Sequence, residues 1–474
     1  MDRSTRRLLA GIVLFAAALR FATLGVQSYW YDEAYTVGLV RGPFGDLLSG
    51  IAHSESTPPL YYLIAWPWAK VFGSCEFGLR SLSAVFGVAT VPVAYAIGRE
   101  LFDRRAGLVA ALLVAASPYE VWYSQEARAY PLYALTAALS LLAFVRALDQ
   151  PTARRLGWWA AASAVALLSH YYTAFLVGPE AIWLLVAHRS ARRRVAAAIA
   201  PVALTGAALL PLLLAQRSTG HTTWIADIDL TSRVQNVAKR FVTGPFGTPV
   251  TALALLAYAL LAAGLYLLLR RTGERARRRA LIPLGLGAAF LAIPLVLALA
   301  GFDYFFDHYL IGALLPLLIV LAAGLAAEPR RVPLVAAALA LLWTGMTIDV
   351  AANRSLQRDD WREVSRLLGP APPGGRAIVV DRLGSRPLEI YRPSVRDLGP
   401  AGATVAEIDL AESYRFGDQR TPPPPAIPGF TLFDHREGPT YRLMRYRAAR
   451  PTAVTPATLA PDGLAKETFF LQEP

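Results

Sequence analysis

Residues 3–36 read RSTRRLLAGIVLFAAALRFATLGVQSYWYDEAYT, and three features of that stretch decide the class of protein. Arg3, Arg6 and Arg7 precede an apolar run over 8–26, and one arginine, Arg20, sits late in that run. Two adjacent carboxylates, Asp32 and Glu33, then follow among Trp30, Tyr31 and Tyr35. A basic flank and an apolar run of this length read as a first membrane span. The exit sequence Leu24-Gly-Val-Gln-Ser-Tyr-Trp is a poor match to a small-residue cleavage site, so the span reads as a retained signal anchor.

The rest of the chain repeats the pattern. Of its 474 residues, 55% are hydrophobic and 17% charged, with mean hydropathy +0.39. Soluble chains average about 25% charged. A polytopic α-helical membrane protein is the class indicated, and disorder over most of the length is excluded. Further apolar runs lie at 82–97, 106–119, 131–148, 195–215, 249–269, 280–299, 309–327 and 332–350. The run 156–187 is long for one helix and short for two. Cys75 is the single cysteine, which excludes an internal disulfide and a cysteine-based zinc site. No internal repeat and no Gly-rich nucleotide loop is visible.

Basic residues set the topology. The net charge is +13, and only Lys70, Lys239 and Lys466 are lysine. Twenty-one arginines fall in six clusters, such as Arg189, Arg192, Arg193 and Arg194, or Arg330 and Arg331, while the alternate loops hold eight basic residues. Every second loop is therefore basic, which makes that side cytoplasmic and argues against a nucleic-acid partner. Both ends of 156–187 are then cytoplasmic, so this run turns back near 170–172. About eleven spans result, with 156–187 read as two short helices or a re-entrant hairpin. The N-terminus is inside and the C-terminus outside.

After Val350 the composition turns polar and proline-rich, with Pro422 to Pro425 in a row. Asp359-Asp360-Trp361 opens a helix to Leu368. Residues 377–380 read as a strand, and 430–435 with 441–446 as a hairpin. The division expected is a membrane domain over 1–350, with 27–80 as its first external loop, and a small extracytoplasmic α/β domain with a loose tail over 351–474.

Polar chemistry gathers on the outer rim. Asp32 and Glu33 can supply a general base and a neighbour that tunes or shares its charge. The same loop carries His53-Ser54-Glu55-Ser56-Thr57-Pro58-Pro59-Leu60-Tyr61-Tyr62. Other outward turns hold Glu126 and Arg128, His170 and Tyr171, and Asp303, Asp307 and His308. Arg20 and Glu180 are ionisable groups at membrane depth, which makes them functional candidates. Each has a structural alternative: Arg128 paired with Glu126, the histidines capped at the interface, Arg20 snorkelling to headgroups, Glu180 packed between helices. An outward site has no access to cytoplasmic nucleotide sugars, so an activated substrate must come through the bilayer, and a lipid phosphate fits. Asp32, Glu33, Glu55 and a histidine are donors suited to a hard divalent cation, and nothing in their spacing requires one.

The order W-Y-D-E-A-Y-T, S-T-P-P-L-Y-Y, Gly73/Glu76/Arg80/Ser83 and S-Q-E-A-R-A-Y resembles the GT-C glycosyltransferases that use polyprenyl-phosphate sugars. Within them it is similar to the bacterial glycosyltransferase family 39 group, related to protein O-mannosyltransferases and lipid A aminoarabinose transferases. The similarity covers about residues 8–350, and Asp360-Trp361-Arg362 extends it loosely. It implies an inverting transfer at the bacterial plasma membrane. Asp32 would be the general base and Glu33 its partner. Glu55, Arg128, Glu126, Arg20, His170, Tyr171, His308 and Tyr61 would serve the donor. The partners implied are a polyprenyl-phosphate-linked sugar, a glycan, lipid or protein acceptor, and the lipid bilayer. Tyr35 stands where aminoarabinose-type relatives carry arginine, Thr57 where many carry lysine or histidine, and His308-Tyr309 where many carry R-Y. The rival readings are a flippase for lipid-linked sugars and a non-catalytic envelope assembly protein. Charges clustered at one rim, rather than at mid-membrane, favour the enzyme.

Overall fold

The computed structural model describes residues 1–246, 251–327, 332–413, 424–459 and 467–474. Arg330, Arg331, Lys466, Pro422, Pro423 and the first two residues of the expected 249–269 span lie outside the described residues. The chain divides into two compact units, Met1–Leu24 with Leu39–Asp349, and Gly25–Gly38 with Val350–Pro474. The segment carrying Asp32 and Glu33, expected with the membrane domain, thus clusters with the C-terminal residues.

In chain order the helices begin α1 (Arg3–Phe21), α2 (Tyr31–Arg41), α3 (Phe44–Ser54), α4 (Leu60–Phe72), α5 (Glu76–Leu101), α6 (Arg104–Ala116), α7 (Pro118–Ser124) and α8 (Tyr130–Asp149). They continue with α9 (Ala153–Ser169), α10 (Ala174–Ala187), α11 (Arg192–Ser218), α12 (Leu230–Thr243), α13 (Thr251–Arg271), α14 (Glu274–Leu299), α15 (Leu314–Ala326) and α16 (Val332–Ala352). Among the described residues seven helical segments are long and apolar enough to cross a membrane, or eight if the bent pair α6–α7 is one span. The eleven expected from sequence are not reached by that measure. α1 carries four arginines, and α9 and α10 have 17 and 14 residues. The run 156–187 does split, at His170, into α9, a 3₁₀ turn and α10.

The apolar helices sort into two roles. α15 with its preceding 3₁₀ turn is almost wholly buried, whereas α11 and α13 present Leu204, Leu214, Leu255 and Leu265 outward. Apolar and exposed is the pattern of a lipid-facing helix, and this unit is a multi-pass membrane body. Small residues let α13 and α15 approach. A Cβ added at Gly324 would sit 2.0 Å from the Gly264 carbonyl oxygen. Gly324→Ala is therefore expected to lower the thermal unfolding midpoint of the solubilised protein, at a cost of about 1–3 kcal/mol typical of overpacking. An unchanged midpoint would show that the helices separate freely.

One span is broken. Ser117 ends α6 and caps α7, where Pro118 is the first helical residue, and the two helices meet at 57°. A proline cannot donate back to the preceding turn, so carbonyls at the end of α6 lose partners. Arg20 of α1 supplies them: its guanidinium donates to Ala115 O (2.9 Å), Val114 O (3.0 Å) and Ser124 Oγ (3.1 Å). In hydrocarbon a freed backbone group must be satisfied by protein, and here one fully buried arginine does it.

The second unit contains α17 (Trp361–Leu368), α18 (Arg382–Tyr391), a short α19 (Pro456–Leu459) and a sheet. Among the described residues the sheet has strands β1 (Arg376–Asp381), β2 (Arg396–Asp397), β3 (Ala403–Ser413), β4 (Thr431–Glu437), β5 (Tyr441–Val454) and β6 (Glu467–Gln472). Their order is β2-β6-β1-β3-β5-β4, with β1 and β3 parallel and the other pairs antiparallel. Alternation along β1 sends Ala377 and Val379 to one core and Ile378 and Val380 to the other, under Trp361, Val364 and Leu388. The Asp360 side chain caps α17 by accepting from the Glu363 N–H, and Gly369 ends it at φ +61°. The expected helix and strand lie within these elements, and the expected hairpin coincides with β4 and β5 except for Phe430, which precedes β4.

Candidate functional site

The carboxylate pair is built at a helix start. Residues 25–30 run without regular structure into α2, and Asp32 and Glu33 fall in its first turn, where the helix field favours ionised carboxylates. Glu33 is fully buried and Asp32 half-buried. The segment is tied to its own unit. Ser28 Oγ donates to Asp359 O (2.7 Å), and the Tyr29 N–H donates to Tyr391 Oη (2.6 Å). The Arg358 N–H donates to Gln27 Oε1 (3.0 Å), and Arg362 donates to the carbonyls of Gly25 (3.3 Å) and Val26 (2.8 Å). Arg386 lies over the Tyr35 ring at 5.2 Å. Tyr31 and Tyr35 share a hydroxyl contact of 3.1 Å. Burial, aided by that contact, pushes the Tyr31 phenol up.

In the membrane unit a second constellation centres on Arg128. Its guanidinium grips Glu55 with both forks, Nη1 to Oε1 at 3.0 Å and Nη2 to Oε2 at 2.9 Å, and the side chains are only 9% and 1% exposed. Such a bidentate pair is geometrically exacting, and its burial makes each partner dependent on the other. Tyr62 Oη donates to Glu55 Oε2 (2.5 Å), and burial pushes that phenol well up. Glu55 is positioned from outside its own helix. It follows α3, and the amide of Gln216 at the end of α11 donates to Ile51 O (2.9 Å) and Thr57 O (3.0 Å) on either side of it.

Aromatic rings and two histidines continue the site. Tyr133 stacks on His170 at 4.4 Å, and Tyr130 lies 5.1 Å from His308. The His170 Nδ1 accepts from the Tyr172 N–H (3.2 Å), which leaves the ring proton on Nε2. Burial first, and the charge of Arg128 second, hold the His170 imidazole down to about 3. It is neutral across the physiological range. The sign follows: the unfolded imidazole gains a proton near pH 6.5 while the folded one does not, so its stabilising share is full above 6.5 and is lost as pH falls toward 3. The expected result is a wild-type unfolding midpoint that drops between pH 7 and 5. In His170→Gln that dependence shrinks by up to one proton, about 1.4 kcal/mol per pH unit. Equal slopes in the two proteins would contradict it.

Two further arginines come from α12. Arg233 and Arg240 are two turns apart and so share a face. Arg233 grips Asp303 at 2.7 and 2.6 Å, and Arg240 reaches Asp307 at 2.8 Å, where Tyr119 also donates (3.3 Å). The hydrogen bonds from Arg233 hold the Asp303 carboxyl below its usual range. These contacts fix the strand-like run into His308, so His308 has Arg240 and Arg128 as its cationic surroundings.

The residues expected from sequence thus divide. Glu55, Arg128, His170 and His308 fall in one neighbourhood, with Glu126 buried in the same loop as Arg128. Arg128 pairs with Glu55. Tyr61 is one layer deeper, against Ser83 Oγ (3.2 Å) and the Tyr62 ring. Tyr171 donates to Gln216 Oε1 (2.8 Å), completing the clamp behind Glu55. Arg20 is committed to the α6–α7 break and to Ser124. Glu180 accepts from Ser140 (2.7 Å) and Trp159 (2.9 Å), a contact between helices. Sequence reasoning missed Tyr62, Gln216, Arg233 and Arg240. The signal for the arginines was the cap Asp229 followed by the amphipathic 230–243. Among the described residues no three His, Cys, Asp or Glu side chains gather as a metal site. Glu55 is held by Arg128 and Tyr62.

Comparison with known proteins bears on this geometry. The family model for dolichyl-phosphate-mannose-protein mannosyltransferase matches residues 56–214, a stretch that includes Tyr62, Arg128 and His170. No curated protein matches the chain. Its fold is similar to that of ArnT from Cupriavidus metallidurans in the apo state, with TM-score 0.61 and 12% identity, covering 93% of this chain and 98% of that one. The same ArnT bound to undecaprenyl phosphate gives TM-score 0.57, again at 12% identity, over 94% and 98%. The oligosaccharyltransferase AglB from Archaeoglobus fulgidus gives TM-score 0.47 at 14% identity, over 77% of this chain and 57% of that one. The mannosyltransferase family model thus matches about a third of the chain, across the Arg128 neighbourhood, and the ArnT fold is followed along nearly the whole of it.

Proposed function

We propose that this protein moves a sugar from a polyprenyl phosphate to an acceptor hydroxyl outside the cytoplasm, on an envelope glycan, a lipid or a protein. The observation that carries the reading is the fold shared over nearly its full length with an ArnT whose structure holds undecaprenyl phosphate. In this reading Asp32 takes the proton from the acceptor hydroxyl, and Glu33 keeps the local charge in place. The acceptor oxygen attacks the anomeric carbon. The bond from that carbon to the phosphate oxygen breaks, its electron pair leaves with polyprenyl phosphate, and configuration inverts. Arg128 and Arg240, held by Glu55 and Asp307, supply positive charge suited to the phosphate oxygens as charge builds on the leaving group. His170, neutral and carrying its proton on Nε2, is a hydrogen-bond donor rather than a charge.

The same reading gives about eleven crossings, with α1, α9 and α10 as short or charged spans. The N-terminus is cytoplasmic and residues 351–474 lie outside, as the alternation of arginine clusters supports. The membrane is that of a bacterial cell.

The test is transfer by purified protein in liposomes, with a panel of radiolabelled polyprenyl-phosphate sugars set against nucleotide sugars. Turnover of a lipid-linked donor alone is expected. Turnover only with nucleotide sugars, or none with any donor, would refute the reading.

A further inference from the structure

We infer that the C-terminal unit is a positioning device for the carboxylate pair, with Arg362 and Tyr391 as its positioning residues. The inference rests on the transferase reading for its kinetic consequence but not for its geometry.

The segment 25–38 is held at both ends by groups of its own unit. Its first six residues have no regular structure, so their backbone groups depend on outside partners. Two groups of partners lie far along the chain. At the start of α17, Arg362 holds the carbonyls of Gly25 and Val26, while the Asp359 carbonyl accepts from Ser28 and the Arg358 N–H donates to Gln27. At the end of α18, the Tyr391 hydroxyl accepts from the Tyr29 N–H at 2.6 Å, and its ring lies 6.5 Å from that of Tyr29. Arg386 of α18 covers Tyr35, one turn beyond Asp32. The segment is thus pinned on both sides of the carboxylates, at 25–29 and at 35.

The anchors are themselves rigid. Trp361, fully buried, seats α17 on the sheet, and Gly384 of α18 packs on the same indole so closely that a Cβ there would lie 2.1 Å from it. Ser365 Oγ donates to Tyr391 O (3.2 Å), joining the two helices. A displacement of α17 or α18 is therefore passed to residues 25–29, and from there to the first turn of α2. The unit contributes no reacting group in this account. It sets where Asp32 points, and small misplacement of a base costs rate at constant substrate affinity.

The experiment uses the full-length protein in liposomes, with Tyr391→Phe, Arg362→Gln and Arg362→Lys. Tyr446→Phe is the control, since it removes a hydrogen bond to Pro425 O elsewhere in the same unit. Two readouts are taken: hydrogen exchange by mass spectrometry, and kcat and KM for a polyprenyl-phosphate sugar. Tyr391→Phe and Arg362→Gln are expected to lose protection in peptides covering 25–38 while those covering 376–381 keep theirs. Their kcat is expected to fall roughly tenfold to a hundredfold with donor KM unchanged. Arg362→Lys recovers part of both, and the control changes neither. Unchanged protection at 25–38 would overturn the proposal, as would loss of protection throughout the sheet, which marks a merely structural role. If wild-type protein turns over no donor, the transferase reading fails, and the exchange data still decide whether the unit holds the segment.

Discussion

Asp32→Asn is expected to reduce kcat by roughly 10²–10⁴-fold, the span usual for removing a general base, with little change in donor KM. The substitution keeps shape and removes the ability to accept a proton. Asp32 is suited to the task by exposure: it is half-buried, so a hydroxyl can approach it, whereas Glu33 beside it is wholly enclosed. Both carboxylates lie in the first turn of α2, where the helix field favours negative charge. The check is turnover of the labelled donor by variant and wild type at matched folded concentration. Retained turnover in Asp32→Asn would move the base elsewhere and would break the roles carried by the carboxylate motif.

The second large effect concerns Arg128 and separates stability from chemistry. Arg128→Met takes the bidentate guanidinium from the buried Glu55 carboxylate, to which Tyr62 still donates. Breaking one side of a buried pair costs about 3–5 kcal/mol, so a steep fall in unfolding midpoint is expected. Removing both charges, in Arg128→Met with Glu55→Met, is expected to restore most of that stability, since buried pairs replaced by apolar groups are often neutral. Transfer is expected to stay low in the double variant, because the fork for phosphate oxygens is still missing. Recovery of both stability and turnover in the double variant would mean that the pair is structural only.

Much of the membrane body was legible, because apolar runs of about 20 residues need no context to be read. What was not legible has physical reasons. α2, α3 and α4 are short and amphipathic or aromatic, and they lie in a loop read for its chemistry. β3 carries Glu407 and Asp409 in the sheet interior, where Arg376 and Arg445 pair with them, so its alternation looks polar. β6 gains its strand character only from antiparallel pairing with β1, which begins about ninety residues earlier. For the site, Asp32, Glu33, Glu55 and Arg128 stood out by residue type. The bidentate pairing of Arg128 with Glu55 did not, since the two are 73 residues apart in sequence. An intramembrane arginine is a functional candidate by default, and for Arg20 the competing demand was Pro118, a helix breaker almost a hundred residues away.

That separation has a bearing on how the chain is made. α1 precedes α6 and α7 in the chain, so during synthesis Arg20 has only Ala16 O (3.3 Å), in its own helix, among its carbonyl partners before Val114 and Ala115 are made. On insertion scales such a group costs about 2.5–3.5 kcal/mol near a helix centre, less toward its end. The debt is settled only when α6 and α7 arrive and their bend offers Val114 and Ala115. The first helix is therefore a provisional resident of the membrane, and its final seat is conferred by a later segment. Biogenesis of this protein is cooperative from the outset: shortening the chain before residue 124 should leave an N-terminal helix that slips or is degraded, although its own sequence is intact.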